Sequence, residues 1–495
     1  MMNESYILTV DLSTSGTKAI VVDKKGTIIS NKTALHKQLY PQSGWVEHDP
    51  IEIYENVKRV INETIESKTF LKNNFKALTL TNQRETVVVW DKKTGKPVYN
   101  AIVWQCRRTT EMCKVLNAKG YGDKVREKTG LPIDPYFSAT KVKWILDNVP
   151  EARERAEKGE LLLGTIDSWL IWKLTDGKVH ATDVTNASRT LLFNIHRLCW
   201  DEELLKIFNI PKLMLPKVKF SDELYGLIED RNLQVTKLPI SGVIGDSQAA
   251  LFGQKCFDKG MAKATFGTGT SVMVYTEDLV EARDGLVTSV AWGLNGKVHF
   301  ALEGIINTTG DIIRWMKDEL TLFNEFSEAE ALAEMLEDND GVYLVPAFVG
   351  LGAPYWSPNT RAGIIGMSRS TKKSHIVRAG LESIVYQVKD IIELIQEKNQ
   401  ISVMELKVDG GATSNKFLMS FLSDLVNMKV MVSDIAELSA LGSAFIGGLG
   451  TGIWVSVEDI SMLNSEIQIF EPKMSEEKRA QLYIEWKNAI HSLLI

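Results

Sequence analysis

Asp246 and the turn Gly267-Thr268-Gly269-Thr270 are the residues of this chain best suited to chemistry. The apolar stretch 238–244 ends in Gly245-Asp246, and a small-residue helix is predicted over 248–253. One carboxylate therefore sits at the end of a strand. A second apolar stretch, 261–266, ends in the glycine turn, whose backbone N–H groups suit a phosphate. A carboxylate that accepts a proton and a turn that neutralises phosphate charge are the minimum for phosphoryl transfer to a hydroxyl. Taken alone, 238–271 reads equally well as an ordinary strand–turn–helix corner.

Other stretches carry compatible chemistry. Asp11, Ser13, Thr14, Ser15, Gly16, Thr17 and Lys18 share one turn. Its hydroxyls and lysine suit a terminal phosphate, and Asp11 suits Mg²⁺, directly or through water. The turn does not match the GxxxxGK[ST] phosphate loop. Arg84-Glu85 ends the strand predicted over 75–80. An arginine donates to two hydroxyls of a polyol and a glutamate accepts from one. The plainer alternative, a surface ion pair, fits poorly among strands apolar on both sides. Trp104, expected to open a helix with Gln105-Cys106-Arg107-Arg108, sets an aromatic face beside forked donors, as carbohydrate platforms do. A core tryptophan is the plainer reading of Trp104. Gly410-Gly411, at a predicted strand-to-helix turn, lets a nucleotide approach the backbone.

These residues need a scaffold of alternating strands and helices. Apolar runs around 11–18, with Lys24-Lys25-Gly26 as a turn, predict a β-meander over 6–31. Ile51, Tyr54, Val57, Val60, Ile61 and Ile65 recur at helical spacing, predicting a helix over 50–67. Further strands are expected over 86–90 and 98–104, and a polar turn over 185–189. The strand–turn–strand unit at 6–23 is echoed at 261–275, each followed by alternating strands and helices. Two α/β domains of similar build are expected, 1–250 and 251–495, with a ligand cleft between them.

Composition narrows the class. At 495 residues the chain exceeds one core. It is 44% hydrophobic and 24% charged, ordinary for a globular protein. A net charge of -6 without a basic run argues against a nucleic-acid partner. The four cysteines form no CxxC pair, which predicts free thiols and a cytoplasmic location. The N-terminus lacks the basic flank and apolar length of a signal peptide. Pro346, Pro354 and Pro358 break one uncharged stretch, and glycines fill the other (438–457), so no membrane segment is expected.

Taken together, the motifs resemble the FGGY carbohydrate kinases, members of the actin-like ATPase superfamily, and most closely the branch acting on glycerol. The resemblance rests on GWVEHDP (44–50), TNQRET (81–86), YNAIVWQCRR (99–108), DPYFSATKVKWILD (134–147), TNASRT (185–190), LFNIH (192–196), ALFGQ (250–254), VPAFVGLGAPYW (345–356) and VDGGA (408–412). It implies two actin-like (ribonuclease H-like) ATPase domains with the catalytic cleft between them. The first would bind the polyol and the second the nucleotide. It implies ATP and Mg²⁺, a small polyol acceptor, and a homodimer or homotetramer. By the same resemblance Asp246 is the general base. Arg84, Glu85, Trp104, Tyr136, Asp246 and Ser247 line the polyol. Thr14, Ser15, Lys18, Thr268, Gly310, Gly411 and Asn415 face ATP, and Asp11 faces Mg²⁺.

Four positions depart from the family pattern. Ser13 replaces a glycine in the phosphate turn. Ser247 stands for a glutamine, and Ser271 for a large aromatic, at the acceptor end. Asp311-Ile312-Ile313-Arg314 replaces small and amide residues beside the nucleotide. The segment 221–236 has no histidine and no glycine–arginine loop, so control by phosphohistidine or by a sugar bisphosphate is not expected. The expected reaction is ATP-dependent phosphorylation of glycerol to sn-glycerol 3-phosphate. The alternatives are a kinase of another polyol or ketose, erythritol- or xylulose-like, and a catalytically weak regulatory ATPase. Retention of Asp11, Thr14, Lys18, Asp246 and Thr268 argues against the last.

Overall fold

The computed structural model describes residues 5–357, 359–464 and 466–494. Residues 1–4 and Pro358 lie outside the described residues. The chain forms two compact units. The first holds Met1–Lys255, Thr288–Phe300 and Glu437–Asn464; the second holds Cys256–Val287, Ala301–Ala436 and Ser465–Ile495. The first crossing falls at 255/256, and two later segments return to the first unit.

The first unit is built on a six-stranded sheet in the order Gly226–Leu227, Pro239–Gly245, Phe75–Asn82, Tyr6–Leu12, Gly16–Asp23, Ile28–Leu35. Its central strands are buried on both faces, which is why they read as continuous apolar runs. Tyr6–Leu12, Phe75–Asn82 and Pro239–Gly245 run parallel, with Leu12 and Gly245 both in register with Asn82. Their carboxyl ends therefore finish at one edge, where ligands of α/β sheets bind. The helix Pro50–Glu66 starts at Asp49, whose side chain accepts from the Ile51 N–H, and it buries Ile53, Val57, Val60 and Ile61.

A returning helix, Leu438–Gly450, packs on the helix Asp246–Gly253 at backbone distance. A Cβ on Gly442 would lie 1.8 Å from the Ala249 carbonyl oxygen, and one on Gly253 would lie 2.2 Å from that of Leu438. Only hydrogen fits at both positions.

The second unit repeats the first hairpin. Met261–Phe266 pairs antiparallel with Thr270–Glu277 and parallel with Glu405–Gly410. The sheet continues through Val430–Ser433 to Ile467–Phe470. A long helix, Lys373–Asn399, and a C-terminal helix, Glu476–His491, complete the core, where Trp486 is stacked on Tyr386. No helix among the described residues is long and apolar enough to cross a membrane.

Several local expectations are corrected. The strand over 98–104 shrinks to Ala101–Ile102. Trp104 does not open a helix, which begins only at Thr110. The polar turn at 185–189 is a short helix, Val184–Ser188, because Asp183 caps it through the Thr185 and Asn186 N–H groups. A 3₁₀ turn, Gly411–Ser414, separates Gly410 from the helix Lys416–Val426.

Candidate active site

In the first unit the predicted acceptor residues form one connected network. Asp246 opens its helix at the end of Pro239–Gly245, and its Oδ1 accepts from the Ser247 N–H at 2.7 Å. Arg84 Nε lies 3.3 Å from Asp246 Oδ1 and 3.8 Å from Glu85 Oε1. Arg84 Nη1 donates to Gln248 Oε1 at 3.3 Å. The Arg84 side chain is 4% exposed while that of Asp246 is 34% exposed. A ligand can thus reach the carboxylate while the guanidinium holds it from behind. Glu85 adopts φ 61°, the left-handed region that side chains avoid, three residues beyond the strand Phe75–Asn82.

The aromatic wall stands beside it. Trp104 and Tyr136 meet edge to face with ring centres 5.3 Å apart. Trp104 Nε1 donates to Thr14 Oγ1 at 2.9 Å, and the Trp104 N–H donates to Thr86 Oγ1 at 3.2 Å. The indole thus ties the Tyr136 ring to the turn that carries Thr14.

That turn is tight and hydroxyl-rich. Ser13 donates its N–H to the Gly16 carbonyl at 2.9 Å, and the Ser13 and Ser15 hydroxyls lie 3.3 Å apart on the exposed side. Ser13 is not among the positive-φ residues, so its side chain carries no backbone strain where the family pattern has glycine. Lys18 is paired with Glu437, the residue that precedes the returning helix. Asp11 faces Lys18 across the hairpin. Desolvation, then the Asp246 carboxylate, raises the Asp11 pKa to about 7 against the pull of Lys18.

The second unit assembles the other predicted residues. The carbonyls of Gly267 and Thr268 accept N–H groups from Gly310 at 3.0 Å and Thr309 at 2.9 Å, so the start of Gly310–Asp318 backs the glycine turn. A Cβ on Gly310 would lie 2.5 Å from the Gly267 oxygen. Phe266 is in register with Gly410, which brings the second glycine pair beside the turn. A Cβ on Gly411 would meet nothing within 4 Å. Asn415 uses its Oδ1 to cap the next helix, accepting from the Leu418 N–H at 2.8 Å. Ser271 donates to Glu303 Oε1 at 3.0 Å.

Three partners were not anticipated from sequence: Gln248 and Arg189, which hold Arg84 and Glu85, and Glu437 on Lys18. Lys18 and Glu437 are 419 positions apart, so no local pattern could pair them.

The FGGY family of carbohydrate kinases matches along most of this scaffold, its N-terminal domain at residues 6–253 and its C-terminal domain at 262–451. The chain belongs to the FGGY family of carbohydrate kinases. Its two-domain α/β architecture is the actin-like ATPase fold of that family. Among FGGY relatives, glycerol kinase 2 of Thermotoga maritima is 50% identical over 486 residues, 98% of either chain. The glycerol kinase of Caldanaerobacter subterraneus is 51% identical over 98% of either chain. The crystal structure of Plasmodium falciparum glycerol kinase with ADP superposes with a TM-score of 0.93 at 40% identity, covering 99% of each chain.

Proposed function

We propose that this chain transfers the γ-phosphoryl group of ATP to a terminal hydroxyl of glycerol, giving sn-glycerol 3-phosphate and ADP. The observation that carries this reading is the Asp246 carboxylate, one-third exposed and held at 3.3 Å by a buried Arg84. The relatives named glycerol kinase at about half identity over nearly the full length support the acceptor.

In this reading Asp246 Oδ accepts the hydroxyl proton as the acceptor oxygen attacks phosphorus, and the bond to the ADP oxygen breaks. Arg84 and Glu85 hold the other hydroxyls by charge-assisted hydrogen bonds, and Trp104 and Tyr136 pack on the carbon chain. Ser247, next to Asp246, faces the same acceptor. Thr14, Ser15 and Lys18 meet the moving phosphate. Thr268, Gly310, Gly411 and Asn415 accommodate the nucleotide through backbone and small side chains. Asp11 is the residue that would hold Mg²⁺, directly or through water. Its pKa is raised first by burial and then by the nearby Asp246 carboxylate, and a divalent cation would stabilise the charge there. The ion would supply charge neutralisation on the phosphates.

Ser247 and Ser271 favour a second reading, a longer polyol or a ketose. Both replace larger side chains of the family pattern, and Ser271 presents a hydroxyl bonded to the buried Glu303 instead of an apolar ring. A panel of polyols and ketoses with ADP release as readout decides between them. Glycerol is expected to give the highest kcat/KM. Another acceptor ahead by tenfold, about 1.4 kcal/mol, transfers the assignment to that acceptor. A homodimer or homotetramer in the cytoplasm completes the proposal. It is supported by the family resemblance and the four free cysteines, and scattering mass tests the assembly.

A further inference from the structure

The five-residue helix Val184–Ser188, with Arg189 at its end, is wholly buried, and it buries the polar side chains of Thr185, Asn186 and Ser188. Polar side chains are costly to bury unless each has a partner. Here the partners are the backbone and side chains that carry the acceptor site. Thr185 Oγ1 accepts the Gly245 N–H at 2.9 Å, directly before Asp246. Asn186 and Asn82 exchange side-chain amide hydrogen bonds at 2.9 and 3.1 Å, two residues before Arg84. Arg189 Nε donates to Glu85 Oε1 at 2.6 Å, and its guanidinium lies 6.0 Å from the Tyr136 ring centre.

One short helix therefore contacts three chain segments: the paired ends of Pro239–Gly245 and Phe75–Asn82, and the Tyr136 loop. Asp183 anchors it in turn, accepting from Thr185, Asn186 and Ser221. Arg189, Glu85, Arg84 and Asp246 form a row of alternating charge with spacings of 2.6, 3.8 and 3.3 Å. The row runs from a guanidinium of 0% exposure to a carboxylate of 34%. Arg189 at 2.6 Å and Arg84 at 3.8 Å flank the buried Glu85 carboxylate with cations, which offsets the cost of burying its charge.

We infer that Val184–Arg189 is the positioning element of the acceptor site. Arg189 sets acceptor affinity through Glu85, and Thr185 sets the placement of Asp246. The inference rests on the acceptor reading above and adds residues that touch no substrate.

The test is steady-state kinetics of the full chain with glycerol and ATP varied separately. Arg189→Met is expected to raise KM for glycerol tenfold or more, with KM for ATP within twofold. Thr185→Val is expected to lower kcat, referred to the folded fraction measured by circular dichroism and thermal melting, at least fivefold with KM for glycerol within twofold; a fall in apparent kcat that matches the loss of folded chain overturns this part of the inference. The double variant Glu85→Gln/Arg189→Met is expected to be no worse than Glu85→Gln alone. Multiplying losses in the double variant, or a KM for ATP that rises in step with that for glycerol, overturns the inference. Should Arg189→Met fail to fold, Arg189→Lys keeps the charge without the planar fork and is expected to raise KM for glycerol threefold or more. An unchanged KM there overturns the inference. A wild-type chain inactive on glycerol defeats the acceptor reading instead, and the same variants are then measured with the acceptor that the panel identifies.

Discussion

Arg84 Nε sits 3.3 Å from Asp246 Oδ1, and Arg84 keeps a second hold on Gln248 at 3.3 Å. Asp246→Asn therefore leaves the guanidinium partnered while removing the proposed proton acceptor. The expected outcome is a fall in kcat of about 10²–10⁴-fold. Stability should change by under about 2 kcal/mol, since the lost carboxylate is partly solvated. ADP release and thermal melting measure the two quantities. Full turnover in this variant removes Asp246 from the mechanism.

Trp104 joins the proposed acceptor wall to the proposed phosphate turn through its 2.9 Å bond to Thr14. Trp104→Phe keeps a ring against Tyr136 and deletes the donor. A hydrogen bond of this kind contributes about 0.5–1.5 kcal/mol, so kcat/KM for glycerol should fall about two- to tenfold. Thr14→Val removes the same bond from the other side. The two losses should not add in the double variant, which a double-mutant cycle reads directly.

The two glycines after Glu405–Asp409 should behave oppositely. Gly410 has φ 100°, and a Cβ there would lie 2.2 Å from the Phe266 oxygen. Gly410→Ala is expected to destabilise the second unit by about 1–3 kcal/mol. Gly411 has open space on its Cβ side. Gly411→Val should melt like the parent yet raise KM for ATP about tenfold, a change of about 1.4 kcal/mol. An unchanged KM for ATP would place the nucleotide elsewhere.

Acid should destabilise the first unit through three histidines. His36, His48 and His180 are each lowered to about 4, mainly by burial. An unfolded histidine near 6.5 binds protons that the folded one refuses, so stability is present above about 6.5 and lost as pH falls toward 4. The loss per histidine is of order 1–3 kcal/mol. Urea titrations between pH 7 and 5 should show this slope. His180→Gln, which can still donate to the Leu163 carbonyl, should make it shallower. A slope equal to the parent's would refute the assignment to His180.

Much of the scaffold was legible because it is periodic. The helix over 50–66 announced itself by its apolar spacing, and the two hairpins by apolar runs around a polar turn. The Arg84-Glu85 pair and Asp246 are legible as charges at the ends of apolar strands. The helix Val184–Ser188 was not, because a five-residue buried helix has no apolar face to show periodicity, and its stability comes from the Asp183 cap. Trp104 lies outside a helix: its N–H donates to Thr86 and the helix begins only at Thr110. Glu437 was invisible for another reason: its partner is set by chain return, which no local window contains.

That return has a consequence for how the protein is made. The helix Leu438–Gly450 covers strands whose last member is complete at Gly245. During synthesis nearly 200 further residues must leave the ribosome before the glycine-lined groove beside Ala249 and Gly253 is filled. The early half of the chain therefore waits, with an apolar groove open to water, for a segment encoded near the end of the message. Nascent chains stalled before residue 438 should be far more sensitive to protease than chains stalled after release of residue 464, although the sheet of the first unit is fully synthesised in both.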